Sequence, residues 1–245
     1  MIKLTLPPKP EKLAQEEAAL TKEFIDSGKK KTVWKKDYIT QPLLEMSHSK
    51  CAYSEIKLNQ ESTYMEVEHF RHKDKYADDV VNWNNLLPSC KKCNTTKGDL
   101  DVVANPIVNP VFDMPRDHLY VCGFRFYEKD AKGENTINAV ALNDDLHFVK
   151  PRFESSQIIV RELENYFMAL QETKKEAMKR RRVSSIKTVL KSCGPQSEFS
   201  AVIATHILYE CPLLEKIRKY LEDNGYWDDE FDDLIKVLES IALPR

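Results

Sequence analysis

Cys51-Ala52-Tyr53-Ser54, then Val67-Glu68-His69-Phe70-Arg71, then Trp83-Asn84-Asn85-Leu86-Leu87-Pro88-Ser89-Cys90-Lys91-Lys92-Cys93-Asn94-Thr95-Thr96-Lys97-Gly98-Asp99 are the runs around which this chain is organised. A Glu beside a His couples an oxygen ligand for a hard cation to a group that can take a proton near neutral pH. Downstream come an Asn-Leu, a Cys-x-x-Cys followed at once by Asn94, and Lys97 three residues further on. One Glu-His pair is a weak signal, because a lone His is often a satisfied core residue. The ordered set is far more specific, since each member adds a role in the same chemistry.

Outward from these runs, composition sets the bounds. The chain has 245 residues, of which 42% are hydrophobic and 31% charged, so it can bury a core and is not disordered by composition. Its net charge of −2 gives no global attraction to nucleic acid, and any such attraction must come from local patches. Only 6 residues are Gly, which favours helices over tight hairpins. Two of the 6 Cys form the Cys-x-x-Cys, which in a cytosolic chain points to metal or redox chemistry before a secreted disulfide frame. The start, Met1-Ile2-Lys3-Leu4-Thr5-Leu6-Pro7-Pro8, lacks the apolar core of a signal peptide. No run reaches the ~20 apolar residues of a membrane helix, so the expected location is cytoplasmic, with no membrane partner.

In chain order, an extended Pro-rich lead precedes an expected helix from Glu11 to about Ser27, stopped near Gly28, and a second from Trp34 to Met46, with Trp34 read as core. Tyr64 to Phe70 is β-prone and should carry Glu68 and His69. Asn94 to about Val103 should be a short helix, ended by Asn105-Pro106 and Asn109-Pro110. Leu119–Val121, Phe124–Tyr127 and Thr136–Val140 are expected strands of a small further sheet, with Lys132-Gly133-Glu134-Asn135 as a turn. From about Phe153 to Leu243 the spacing is helical, broken at Cys193-Gly194-Pro195, Pro212 and Asn224-Gly225. Residues 174–191 are basic and 222–233 acidic. Two regions result: 1–150, carrying the motif core 51–103, and a helical region, 151–245.

The motif set resembles the HNH nuclease motif, a two-stranded ribbon followed by a helix around one divalent cation. The fold class implied is α+β and mostly α: a ββα-metal core with a small additional sheet, N-terminal helices and a C-terminal helical tail. On that resemblance His69 is the general base, Glu68 and Asn94 are ligands of Mg²⁺ or Mn²⁺, and Asn85 holds the loop that positions the His. A neutral imidazole near its unperturbed pKa of about 6.5 suits the base. Activity should then rise with pH through the pKa of His69 and level off. Arg71, Lys73, Lys92 and Lys97 are the candidate nucleic-acid contacts, Lys97 holding a phosphate. Many HNH proteins carry two Cys-x-x-Cys pairs around structural Zn²⁺. Here Cys51, Cys90 and Cys93 stand with Ser54, a poor zinc ligand, so His48 or Glu55 could complete the set. Without a fourth ligand the residues would pack a zinc-free knuckle.

The likeness extends further, through the Pro-rich start, Lys50-Cys51-Ala52-Tyr53, Glu68-His69-Phe70-Arg71 with Lys73, Trp83-x-Asn85-Leu86, Cys90-x-x-Cys93-Asn94-x-x-Lys97-Gly98, Asn109-Pro110 and Ala141-Leu142-Asn143. Over roughly residues 1–170 the chain resembles the HNH nuclease subunit (PtuB) of Septu-type anti-phage systems and their retron-linked relatives. Ser54 for Cys and His72 for a common Pro are departures. The resemblance implies an ABC/SMC-like ATPase partner (PtuA), a nucleic-acid substrate and, in retron systems, a reverse transcriptase with its RNA–DNA product. Two other classes compete with a nuclease: a non-catalytic zinc-knuckle that binds nucleic acid, and a scaffold with a degenerate site. A binding knuckle has no need of a base beside a carboxylate.

Overall fold

The computed structural model describes residues 1–58 and 64–245. They form two compact units, one of Met1–Leu119 with Tyr127–Asn143, the other of Tyr120–Phe126 with Asp144–Arg245.

The first unit opens with α1 (Glu11–Asp26) and α2 (Asp37–Met46). Apolar residues at helical spacing, Leu13, Leu20 and Phe24 on α1 with Ile39 and Leu43 on α2, pack with Val67, Val80, Val81, Trp83 and Leu86 into one core. The strands β1 (Met65–His69) and β2 (Leu86–Cys90) pair antiparallel with Glu68 opposite Leu87 and His69 opposite Leu86. Pro88 lacks an N–H, which the outer edge of a two-stranded ribbon tolerates. Its carbonyl accepts from Ala52 N–H at 2.8 Å and so seats the Cys51–Ser54 knuckle against the ribbon. α3 (Lys91–Lys97) follows β2 without a loop.

Three expectations change here. α2 begins at Asp37, after an extended Lys36, and not at Trp34. The helix after the Cys pair starts at Lys91, so Cys93 lies in its first turn, and it stops at Gly98, whose φ of 52 is a left-handed conformation open to glycine at little cost. Residues 132–140 are neither turn nor strand. Pro115–His118 forms the short α4, and Ala131–Ala139 forms α5, capped by the Asp130 side chain, which accepts from Gly133 N–H at 2.8 Å. Gly133 serves close packing: a Cβ there would lie 2.1 Å from the His118 carbonyl oxygen. Thr136 is fully buried and its hydroxyl accepts from Val108 N–H at 2.8 Å, which holds α5 in place.

The second unit is mostly helical. β3 (Leu119–Cys122) and β4 (Arg125–Glu128) pair as expected, turning at Gly123 and Phe124, both at positive φ. α6 (Lys150–Glu172) and α7 (Glu176–Lys191) bury Leu163, Phe167 and Leu170 with Val183, Ile186 and Leu190. α8 (Ser200–Thr205), α9 (Leu213–Asp223) and α10 (Asp229–Ile241) complete it. Arg152 is fully buried with its guanidinium 4.7 Å from the Phe126 ring centre and near the Phe148 and Phe199 rings. The basic and acidic runs partly neutralise each other, since Lys187 pairs with Asp228 at 2.6 Å and Glu230 at 2.7 Å. No helix of the described residues is long and apolar enough to cross a membrane.

Candidate active site and thiol cluster

β1 delivers Glu68 and His69 in succession, so their side chains leave the strand on opposite faces. The His69 ring is fixed by a relay of hydrogen bonds. Asn85 Oδ1 accepts from Arg71 N–H at 2.7 Å, while its Nδ2 donates to the carbonyls of Arg71 at 3.2 Å and Asp79 at 3.0 Å. This clamps the segment after His69 to the loop that ends in Val80. The Val80 carbonyl lies 2.9 Å from His69 Nε2. A carbonyl only accepts, so Nε2 carries the proton and the neutral ring keeps its lone pair on Nδ1. Trp34 meets the ring edge-on at 4.6 Å, packing against the core and the site at once. Burial pulls the His69 pKa down to about 4, against the pull of the Val80 bond. Burial therefore favours the neutral imidazole at neutral pH, the form a base requires.

Glu68 is 2% exposed, and burial raises its pKa to about 7, with Lys97 opposing. Lys97 Nζ lies 2.5 Å from Glu68 Oε1 and donates to the His69 carbonyl at 2.9 Å. Lys97 is itself only 3% exposed, so it is not the phosphate contact that its sequence position suggests. A buried carboxylate needs a counter-charge, and α3 turns Lys97 inward to supply it. Asn94, one turn earlier on α3, donates from Nδ2 to Glu66 Oε2 at 2.5 Å.

Glu66, Glu68, His69, Asn94, Lys73 and Trp34 line a single cleft of about 450 Å³. Two carboxylates and an amide are hard oxygen donors, and a cleft of this size leaves room for the waters that Mg²⁺ retains; the set fits Mg²⁺ or Mn²⁺. Of the other candidate contacts, Lys73 lies at the cleft, with its ammonium 5.9 Å from the Trp34 ring centre. Arg71 is exposed and pairs with Asp79 at 3.3 Å. Lys92 sits half-buried in the first turn of α3.

Behind the ribbon, Cys51, Cys90 and Cys93 hold their sulfurs within 4.8 Å of one another, all buried and none in a disulfide. Burial works to raise the Cys51 thiol, but hydrogen bonds from Cys90, Cys93 and Ser54 outweigh it and set the group well below its ordinary value. Cys90 is pushed up to about 12, first by its bond to Cys51. One thiolate shared among three sulfurs suits a soft cation that would ionise the others. His48 is not part of the cluster; it lies exposed at a φ of 55. Glu55 is also taken, paired with Lys50 at 3.1 Å and with the Met1 amino group at 2.8 Å. Two hydroxyls lie beside the sulfurs, Ser54 Oγ at 3.7 Å from Cys90 Sγ and Ser89 Oγ at 3.7 Å from Cys51 Sγ.

Sequence reasoning missed two residues. Glu66 sits two positions before Glu68 on a strand, which puts both on the side facing α3, and that alternation is a usable signal. Tyr53 is fully buried; burial first and the Glu68 carboxylate next push its hydroxyl well above the ordinary range, and Cys51 and Cys93 add to this. Its run is part of the motif, but its burial against Glu68 cannot be read from the order of residues.

The profile of the HNH endonuclease family matches residues 48–100, the stretch that carries the ribbon, α3 and both clusters. The fold and the match define the class: an HNH endonuclease-type protein. Over 250 aligned residues, covering 99% of this chain and 95% of the relative, it is 38% identical to the Septu protein PtuB of Bacillus thuringiensis. A second Septu protein PtuB, from Bacillus mycoides (strain KBAB4), is 29% identical over 143 residues, 45% of this chain and 48% of that one. The chain belongs to the Septu PtuB family of HNH nucleases.

Proposed function

We propose that the chain is a divalent-cation-dependent endonuclease that hydrolyses phosphodiester bonds of nucleic acid, and that it acts as the effector of an anti-phage complex with an ATPase partner. The observation that carries the catalytic half is the tautomer of His69. With Nε2–H committed to the Val80 carbonyl, Nδ1 is the one ring atom free to take a proton from a water in the cleft. Glu68 and Asn94 would hold the Mg²⁺ or Mn²⁺, and the cation would supply positive charge where the leaving oxygen becomes negative. Asn85 keeps the Val80 carbonyl in place and acts through His69. Arg71 and Lys73 offer charge to the flanking backbone of the substrate, and this attraction weakens with salt.

The defence half rests on kinship with two proteins named for the Septu system. Co-expression with the neighbouring ATPase should give a complex stable on size exclusion at micromolar concentration, through surfaces outside residues 51–99. Separate elution would count against it.

The catalytic reading is tested by incubating purified protein with Mg²⁺ or Mn²⁺ and plasmid, single-stranded DNA or total RNA. His69→Ala should lose cleavage by roughly two to four powers of ten while keeping the fold. Cleavage equal to that of the unaltered chain, in matched metal and salt, would refute the assignment of the base.

A further inference from the structure

The Glu66–Asn94 contact joins the middle of β1 to the middle of α3 across 28 residues of chain, at the lip of the cleft. An amide side chain has two chemically different ends. Its oxygen can ligate a hard cation and its NH₂ cannot. The two ends are nearly the same size, so packing alone does not choose between them, and a half-turn about the last side-chain bond exchanges them.

Glu66 makes the choice. A carboxylate only accepts, so the end of Asn94 that faces it at 2.5 Å must be Nδ2. Oδ1 is thereby sent to the other side of the amide, where no described residue donates to it. Glu66 is itself half-buried, and Asn94 is its one hydrogen-bond partner among the described residues. The neighbouring acid is held differently, with Glu68 already engaged by Lys97. The two carboxylates on the α3-facing side of β1 therefore have separate partners and separate tasks.

We propose that Glu66 is a positioning residue, holding the Asn94 amide by its nitrogen so that the oxygen is presented to the cation of the cleft. The role rests on the cleft being a Mg²⁺ or Mn²⁺ site, and the test separates the two. Groups that orient ligands in this way typically change metal affinity by about 10–100-fold when removed.

The experiment is Mn²⁺ binding, read by the free-ion electron paramagnetic resonance signal, on the full chain with its fold checked by circular dichroism. Five variants are compared with the unaltered protein: Glu66→Gln, Glu66→Ala, Asn94→Ala, Glu68→Ala and the double variant Glu66→Ala with Asn94→Ala. Gln keeps an oxygen that can accept from Nδ2 but drops the charge. Glu66→Gln should therefore bind Mn²⁺ within about 3-fold of the unaltered chain, while Glu66→Ala weakens binding about 10–100-fold. Adding Glu66→Ala to Asn94→Ala should weaken it no further, since Glu66 acts through that amide. Equal losses in Glu66→Gln and Glu66→Ala would tie the effect to the carboxylate charge instead of the hydrogen bond to Asn94 and overturn the positioning role. A loss in Glu68→Ala with none in Glu66→Ala would overturn that role while leaving the cation site standing. No response in any of the five would overturn the cation site and the proposal together.

Discussion

The ribbon of the first unit has two clusters, and they differ in kind. The cleft presents oxygens and an imidazole nitrogen, and Glu66, Lys73 and Asn94 at its lip are only half-buried. The thiol cluster presents sulfurs from residues that are 0–3% exposed. Hard donors in an open cleft suit a cation that keeps water and meets a substrate; soft donors in a closed pocket suit one that only holds the fold. The two are coupled through α3. Cys93 and Asn94 are adjacent, so whatever fixes the first turn of α3 also aims Asn94 and Lys97 at β1. Damage to the thiol side should therefore appear as lost stability and lost activity together, whereas damage at His69 should appear as lost activity alone.

Changes at the sulfurs should have the largest effect. Purified protein is expected to hold about one Zn²⁺ per chain, and Cys93→Ser should abolish it and destabilise the first unit by several kcal/mol, because metal binding is folding free energy. Elemental analysis finding no zinc in folded protein never exposed to chelator would remove this half of the comparison. Lys97→Met comes next. It leaves the buried Glu68 carboxylate without its counter-charge and should cost about 3–5 kcal/mol, a fall in Tm on the order of 10 °C for a chain of this length. A variant with unchanged melting and only a salt-dependent loss of substrate binding would restore the phosphate role for Lys97. The smallest effect lies away from both clusters. Gly133→Ala forces a methyl against the His118 carbonyl and should cost about 1–3 kcal/mol, with cleavage per folded molecule unchanged in an activity assay normalised by circular dichroism.

Much of the site was legible because its members are types with few alternatives in that order. Glu68, His69, Asn85, Asn94 and the three Cys each occupy a position where spacing and chemistry agree. Lys97 was misread because the same spacing serves a surface cation and a buried one, and only the helix phase set by Cys90 and Gly98 decides which. Thr136–Val140 was misread because its β-prone composition outweighed the weaker signal of an Asp cap at Asp130, and because Gly133 looked like a turn when it marks close packing. His48 was a candidate by proximity in sequence alone, and it lies exposed outside the group of three sulfurs. Tyr53 could not be found, since its relation to Glu68 exists only once the knuckle is seated on β2.

The most direct test of the account is chemical rescue of the base. His69→Gly opens a space where the ring lay and leaves Glu68, Asn94 and the thiols untouched. In Mn²⁺ at fixed ionic strength, this variant should cleave slower than the unaltered chain by roughly two to four powers of ten, and added imidazole should recover part of the loss in proportion to its unprotonated form. Cleavage by His69→Gly at the unaltered rate, or a loss in a folded, Mn²⁺-binding variant that imidazole at any pH fails to reverse, would contradict the assignment of His69 as the base.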